Sequence, residues 1–194
     1  KNFSIKSILE LKGELRFGSS SPRRINYLKK LIPDVKIKNL RGNIENRIKK
    51  ILENKFDGTI LAIAGIKRLN LKYKNINFVK IPTNTILPAP GQGCIAVLCR
   101  REDKEAIKIS KKIDDFNTRI SMEAERTFIK EIDGNCFTPV AAFTKIKGKE
   151  LTLKGRLFSK DGDFFSEKKV IGNIKNAKKI GKLCAARILK DLNK

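Results

Sequence analysis

Gly-Ser-Ser-Ser-Pro-Arg-Arg, residues 18–24, lies between a predicted strand at 14–17 and a predicted helix. The helix is indicated by apolar residues at helical spacing, Ile25, Leu28, Leu31 and Ile32. Pro22 suits its first turn because proline has a preset φ and needs no acceptor there, and serines are common capping residues. Hydroxyls, first-turn N–H groups and two guanidinium groups would meet at one helix end, which favours a site for carboxylate or phosphate. A capped surface helix that carries two arginines is the alternative.

A second helix start of the same kind follows one predicted strand further on. Apolar and basic residues alternate at 35–40, which predicts a half-buried strand. Asn43 can cap the helix after it, whose apolar stripe is Ile44, Ile48, Ile51 and Leu52. Arg41 precedes this cap and Arg47 lies one turn into the helix, so both side chains can reach the N-terminus of the same helix. Two surface arginines, one of them paired with a nearby glutamate, are the alternative.

The rest of the first half has the pattern of an α/β domain. A continuous apolar run predicts a buried strand at 59–64, a short helix or turn follows at 65–69, and a further strand is predicted at 75–81. Alternating strands and helices indicate a parallel sheet, in which ligands bind at the carboxyl ends of the strands. The loops at that edge would begin at Gly18, Arg41 and Gly65.

The second half predicts a separate, smaller domain. A loop rich in Pro and Gly at 82–93 is typical of a crossing between lobes. Residues 94–99 predict a buried strand with Cys94 and Cys99 as core residues. The remaining predicted elements are helices at 103–112, 114–132 and 173–192 and strands at 140–146, 151–158 and 164–171. Residues 1–12 form an entry segment that contains Phe3, Ile5, Ile8 and Leu9.

Composition limits the class of protein. The chain has 194 residues, 40% of them hydrophobic, which is enough for a real core. Its net charge of +24 is mostly scattered lysine, which is typical of a solvated surface but would also attract nucleic acid or other anions. The absence of histidine excludes His-based triads and His metal ligands. Four cysteines without C-x-x-C spacing argue against a zinc or redox site and for a reducing compartment. No stretch resembles a signal peptide or a membrane span.

Cys136 follows the long predicted helix, in the loop 133–139. Small and turn-forming residues around it leave its sulfur accessible. A half-buried structural thiol is nevertheless the interpretation that the residues alone favour.

Five stretches in order resemble the porphobilinogen deaminase family, also called hydroxymethylbilane synthases. Residues 18–24 are similar to its Gly-Thr-Ser-Ser-Leu-Arg-Arg loop, and residues 40–43 with Arg47 match its Arg-Gly-Asn helix start. Residues 63–69 and 87–93 match two further signatures. The stretch that resembles the family's cysteine attachment segment comprises Glu125-Arg126 and Gly134-Asn135-Cys136. The similarity extends from near residue 1 to the C-terminus.

The resemblance implies a transferase of tetrapyrrole and heme biosynthesis, in the cytoplasm or the plastid stroma. It would condense four porphobilinogen molecules head to tail into hydroxymethylbilane, with release of ammonia, on a dipyrromethane cofactor joined to Cys136 by a thioether. The acetate and propionate arms of the pyrroles make cofactor and product polyanions, which suits clustered arginine. The implied partners are porphobilinogen and the growing oligopyrrole chain, with no nucleic acid, no membrane and a usually monomeric protein.

The family's functional residues carry over by matching position. Those for the cofactor carboxylates would be Ser19, Ser20, Ser21, Arg23 and Arg24. Those for substrate or the growing chain would be Arg41, Arg47, Arg68 and Gln92, with Arg100 near the hinge. No metal is implied. Pro22 replaces the family's leucine, and Asp133 and Asn135 replace a glutamate and a glycine before the cysteine. Because asparagine tolerates positive φ, we expect Asn135 to preserve that loop.

The implied fold is an α/β domain of the periplasmic-binding-protein type at 1–86, a crossover with a returning strand and helix at 87–113, and a small α+β domain with a three-stranded antiparallel sheet at 114–194. The family's catalytic aspartate belongs to an N-terminal segment that would precede Lys1, so no catalytic residue is expected in this chain. That segment, as a separate chain, would be a partner that covers the returning strand. The alternatives are a truncated chain and the product of a decayed gene.

Two other functions remain open at this point. A basic nucleic-acid-binding protein would suit the charge, although the sequence has no Trp and only two Tyr to stack on bases. A non-catalytic anion-binding fragment would use the same serine and arginine loop without turnover.

Overall fold

The computed structural model describes residues 6–159 and 161–192, which form two compact units. The first unit comprises the described residues of Lys1–Leu87 together with Asn135–Pro139 and Phe158–Phe165. The second comprises those of Pro88–Gly134, Val140–Leu157 and Ser166–Lys194. Phe3 and Ile5 of the predicted entry segment lie outside the described residues. The division into segments 1–86, 87–113 and 114–194 remains a prediction.

The first unit is built on a small parallel sheet. Its strands are β1 (Arg16–Gly18), β2 (Lys36–Lys38) and β3 (Gly58–Thr59), in the order β2-β1-β3. Its helices are α1 (Pro22–Leu31), α2 (Ile44–Leu52) and α3 (Ile63–Arg68). Phe17 of the central strand pairs in parallel with Ile37 and with Gly58. The predicted α/β order is confirmed, and the loop after Gly18 lies at the carboxyl end of the central strand.

Two glycines let the side chains around this sheet approach closely. A Cβ on Gly18 would overlap the side chain of Leu40, which is fully buried just after β2. A Cβ on Gly58 would lie 2.7 Å from the ring of Phe17. The turn into α1 is therefore held close to the end of β2, where the next loop begins.

The second unit packs helices on an antiparallel sheet. Its elements are α4 (Lys104–Lys112), α5 (Phe116–Glu131), β4 (Val140–Lys147), β5 (Glu150–Phe158), β6 (Phe165–Asn173) and α6 (Ala177–Leu192), with strand order β4-β5-β6. Phe128 and Ile188 are fully buried in its core. Helices α5 and α6 pack closely because Gly181 has no side chain, and a Cβ there would lie 2.5 Å from the carbonyl oxygen of Ala124. The predicted three-stranded antiparallel sheet and its helices are confirmed to within a few residues.

One predicted strand is much shorter than expected, and two others are wrong. The strand predicted at 59–64 ends at Thr59, and α3 already begins at Ile63. Residues 75–81 and 94–99 form no strand. Their apolar pattern suits a sheet, but a strand forms only where another strand satisfies its backbone N–H and C=O groups, and within the described residues none pairs with them.

The segment 94–99 is exposed instead of buried. Ile95 is 73% exposed and Leu98 is 92% exposed. Cys94 is half-buried and Cys99 is exposed, so neither is the core residue that the sequence predicted. Within the described part of the chain, helices that combine the length and apolar character of a membrane span are absent.

Candidate functional site

The loop between β1 and α1 is tied down by its own serines. Ser19 is buried, and its Oγ accepts a hydrogen bond of 3.2 Å from the N–H of Ser21. The hydroxyl of Ser20 donates to the carbonyl oxygen of Leu40 at 2.9 Å and contacts the side chain of Asn39. Ser21 occupies the N-cap of α1, but its side chain makes no capping hydrogen bond. The loop is therefore fixed while the first turn of the helix is not closed by a hydroxyl.

Arg23 points into the first unit and is only 6% exposed. Its Nη1 donates a hydrogen bond of 2.6 Å to the carbonyl oxygen of Leu87. Burial, and then the positive charge of Arg24, lower the pKa of Arg23 to about 10. A guanidinium that is buried beside a like charge is stabilised by any anion that binds nearby.

Arg24, at the start of α1, lies close enough to Arg47 of α2 for their charges to interact. The two predicted helix starts are therefore neighbours. Arg24 is half-buried and its Nη1 donates to the carbonyl oxygen of Ile60 at 2.7 Å. Burial, and then the charge of Arg47, lower the pKa of Arg24. Arg47 in turn donates from Nε to the carbonyl oxygen of Gly42 at 2.8 Å. Neither arginine takes part in any ion pair within residues 6–159 and 161–192.

The cap of α2 is the one that the sequence predicts. Asn43 accepts a hydrogen bond of 2.8 Å from the N–H of Asn46 through its Oδ1. Gly42, directly before it, has a φ of +112°, a backbone conformation that residues other than glycine rarely adopt. The turn that aims Arg47 back at its own helix start therefore depends on this glycine.

The other predicted ligand residues are all exposed. Arg41 is exposed at the start of the same turn as Gly42, and Arg68 is exposed in the last turn of α3. Gln92 belongs to the second unit, where it lines an open depression of about 420 Å³ together with residues of α5 and β4. Arg100 is exposed and pairs with Asp103 at 3.4 Å. The structure thus brings together Arg23, Arg24 and Arg47, with the serine loop beside them.

Cys136 is exposed on a tight turn that belongs to the first unit. Asn135 forms that turn, since its N–H donates to Thr138 Oγ1 at 2.9 Å and its Oδ1 accepts from the N–H of Phe137 at 2.8 Å. Positive φ falls on Asp133, at 55°, and not on Asn135, so tolerance of positive φ is not the reason why Asn135 suits this turn. Its side chain acts as an acceptor in an Asx turn instead. The half-buried structural thiol that the residues alone favoured was wrong, because Cys136 is exposed.

Sequence reasoning missed several residues that hold loops in place within each of the two units. Thr59 donates from Oγ1 to the carbonyl oxygen of Gly18 at 2.7 Å, which links β3 to the serine loop. Glu125, quoted above only as part of a motif, is 5% exposed and accepts hydrogen bonds from the N–H of Gly91 at 2.7 Å and of Thr144 at 2.9 Å. Tyr27 lies one turn after Arg23, a spacing that could have marked the two as neighbours on one helix face.

Two family models match the chain. Residues 3–108 match the model described as porphobilinogen deaminase, dipyrromethane cofactor binding domain, and residues 120–190 match porphobilinogen deaminase, C-terminal domain. The first match alone covers more than half of the chain.

Relatives of known name agree with these models. The chain is 39% identical over 191 residues to the porphobilinogen deaminase of Coxiella burnetii, which covers 95% of this chain and 62% of that protein. It is 37% identical over 193 residues to that of Clostridium novyi, covering 99% of this chain and 64% of that protein. For Brevibacillus brevis the identity is 39% over 158 residues, covering 81% and 50%. The chain therefore spans about half to two thirds of the length of these relatives.

Proposed function

The chain belongs to the porphobilinogen deaminase family, and we propose that it carries the cofactor-binding part of a hydroxymethylbilane synthase. That reaction joins four porphobilinogen molecules head to tail and releases ammonia. The observation that supports this proposal most strongly is the gathering of Arg23, Arg24 and Arg47 at two adjoining helix starts. The exposed thiol of Cys136 lies in the same compact unit.

The residues present fit a dipyrromethane group. An exposed thiol can form a thioether. The guanidinium groups of Arg24 and Arg47, which have no carboxylate partner within residues 6–159 and 161–192, can bind the acid arms of two pyrrole rings. When bound, the group supplies the pyrrole carbon at which the chain is extended.

In this proposal each residue has a separate task. Cys136 anchors the group covalently, and Arg23, Arg24 and the loop Ser19–Ser21 hold its carboxylates. Arg47, with Arg41, Arg68 and Gln92 around the site, binds the carboxylates of the incoming substrate and of the lengthening chain. Turnover needs the family's catalytic aspartate, which matches no residue of this sequence.

The partner and the compartment form a finer part of the proposal. The exposed apolar side chains of 94–99 suit a surface that is covered by the rest of the family's first domain. All four cysteines are unpaired, which supports a reducing compartment, the cytoplasm or the plastid stroma. Family membership weighs against the nucleic-acid-binding alternative.

Intact-protein mass spectrometry tests the covalent step. The purified chain is incubated with porphobilinogen and, in parallel, with preformed hydroxymethylbilane. We expect a mass increment that corresponds to linked pyrrole rings, located at Cys136 by peptide mapping and absent from Cys136→Ser. Cys99→Ser is the matched control, because it removes another exposed thiol and should keep the increment. A wild-type protein that stays unmodified with both reagents would refute the attachment.

A further inference from the structure

Helix α1 also has a contact face for the hairpin formed by β5 and β6. This face is made of Asn26, Tyr27 and Lys30, and it packs on the tip of that hairpin, of which the structure describes residues 158, 159 and 161–165. The ring of Tyr27, 1% exposed, meets that of Phe158 edge-on with 5.0 Å between centroids. Lys30 Nζ lies 3.8 Å from the centroid of the Phe165 ring. A Cβ on Gly162 would lie 2.6 Å from Oδ1 of Asn26, so the hairpin tip fits closely against this face.

Tyr27 and Arg23 hold the same backbone residue. The N–H of Leu87 donates to Tyr27 Oη at 3.2 Å, while the carbonyl oxygen of Leu87 accepts from Arg23 Nη1 at 2.6 Å. Arg23 and Tyr27 lie one helical turn apart, so their side chains project from the same face. The acceptor that orients the Arg23 guanidinium is therefore itself placed by Tyr27.

Phe158 connects this arrangement to the cysteine turn, residues 135–139. Its N–H donates a hydrogen bond of 3.2 Å to the carbonyl oxygen of Pro139, which ends that turn. Direct contacts therefore run from Arg23 through Leu87 and Tyr27 to Phe158 and Pro139. All of these residues belong to the first unit.

We propose that Tyr27 is a positioning residue, which fixes the turn that carries Cys136 relative to the guanidinium groups of Arg23 and Arg24. Its purpose rests on the proposed function, because a group tethered through the sulfur must present its carboxylates to those guanidiniums. Tyr27 itself is buried among Phe158 and Leu87 and acts through them. The consequence that can be measured is a positive electrostatic field of the arginines at the Cys136 sulfur, which depends on Tyr27.

Two alkylating reagents of different charge measure that field without any pyrrole. In both cases the Cys136 thiolate forms a bond to a CH₂ carbon and iodide leaves, but iodoacetate is an anion and iodoacetamide is neutral. The chain is produced in a host that cannot make porphobilinogen, and the rates at each cysteine are followed by peptide mass spectrometry at low ionic strength. We expect the iodoacetate-to-iodoacetamide rate ratio at Cys136 to fall by about threefold to fivefold in Arg24→Leu, since charges about one Debye length or less apart still interact at low salt.

The variants of Tyr27 decide the proposal. Tyr27→Leu should lower the ratio at Cys136 as Arg24→Leu does, and Phe158→Leu should do the same from the other side of the contact. Tyr27→Phe keeps the ring on Phe158 but loses the hydrogen bond from Leu87. It should therefore lower the ratio less than Tyr27→Leu does. The ratio at Cys99 is the internal control and should be equal in all variants.

If Tyr27 contributed only to overall stability, a destabilising substitution elsewhere would lower the Cys136 ratio as well. Val170→Ala weakens the core of the second unit and should leave the Cys136 ratio unchanged. The proposal is overturned if folded Tyr27→Leu and Phe158→Leu keep the wild-type ratio, or if Val170→Ala lowers it equally. Pyrrole attachment is measured separately, so a failure of the proposed function with the expected ratios would leave the positioning role intact.

Discussion

Arg24 keeps its charge where charge is costly. It is half-buried, it has the like charge of Arg47 near it, and its guanidinium donates to a neutral carbonyl oxygen, that of Ile60. Burial and repulsion both favour the uncharged form of a base, which is why its pKa is lowered. A bound carboxylate would reverse both effects, so an anion should stabilise the cluster.

Replacing Arg24 should therefore reduce the stabilisation that a bound anion provides more than it reduces the free energy of unfolding without the anion. Glutarate, a small dicarboxylate, serves as the anion. At about one hundred times its dissociation constant, it should raise the wild-type free energy of unfolding by about 2.7 kcal/mol through binding to the folded state. Arg24→Leu should lose most of this gain, as measured by urea unfolding with and without glutarate.

Arg119→Leu is the matched control for this measurement. Arg119 also lies on a helix, but it is exposed and paired with Asp114 at 2.8 Å. Its removal should leave the glutarate effect at the wild-type value. Equal losses in the two variants would mean that glutarate acts on the overall positive charge and not on the cluster.

At the scale of elements, helix α5 and strand β4 are joined by one buried carboxylate. Glu125 on α5 accepts hydrogen bonds from the N–H of Thr144 on β4 and from the N–H of Gly91, in the loop that precedes α4. Burial raises the pKa of Glu125, against the opposing effect of these hydrogen bonds. The ionised carboxylate is therefore held in place at a cost in stability near neutral pH.

The sign of the resulting pH dependence follows from that raised pKa. Between its unfolded pKa, near 4.5, and its higher folded pKa, the folded state binds more protons at Glu125 than the unfolded state does. The contribution of Glu125 to stability is therefore fully present below the unfolded pKa and is lost as pH rises through the folded pKa. We expect the unfolding free energy of wild type minus that of Glu125→Gln to fall as the pH is raised from 4.5 to 7.

Urea unfolding at several pH values measures this difference. Glu123→Gln is measured in parallel as the control, because it removes a carboxylate from the same helix without touching the hydrogen bonds to Gly91 and Thr144. A difference for Glu125→Gln that rises with pH over the same range would contradict the raised pKa.

The elements that the sequence predicted best are those whose signals are local. The helices α1 and α2 begin where Pro22 and Asn43 predict, because capping and periodicity are properties of a few adjacent residues. The strands predicted at 75–81 and 94–99 failed, because pairing depends on a second strand that no local pattern reports.

The same distinction holds for the site. Arg23 and Arg24 could be predicted as anion ligands from their place at a helix start and from the resemblance. That Leu87 would orient Arg23, and that Tyr27 would hold Leu87, depends on contacts between residues about sixty positions apart in sequence. Such contacts leave no periodic or compositional pattern, so the arrangement behind the arginines became visible only in the fold.

At the scale of the whole molecule, strong positive charge coexists with an exposed apolar segment. The net charge is +24, while Ile95, Val97 and Leu98 are each more than half exposed. Mutual repulsion keeps such molecules apart at low salt, and added salt screens that repulsion while it leaves apolar attraction in place. Self-association through the segment 94–99 should therefore increase with ionic strength.

Leu98→Lys tests this balance directly. A side chain that is 92% exposed contributes little to folding, so the free energy of unfolding should change by less than about 0.5 kcal/mol. The salt-dependent rise in mean mass, followed by light scattering, should become much smaller, because the variant replaces the most exposed apolar side chain of the segment with a charge. Leu9→Lys, at another exposed leucine of the chain, adds the same charge elsewhere and should keep most of the rise. If both variants suppress the rise in mean mass equally, association is governed by net charge and not by the segment 94–99. A large loss of stability in Leu98→Lys would mean that Leu98 is buried in solution.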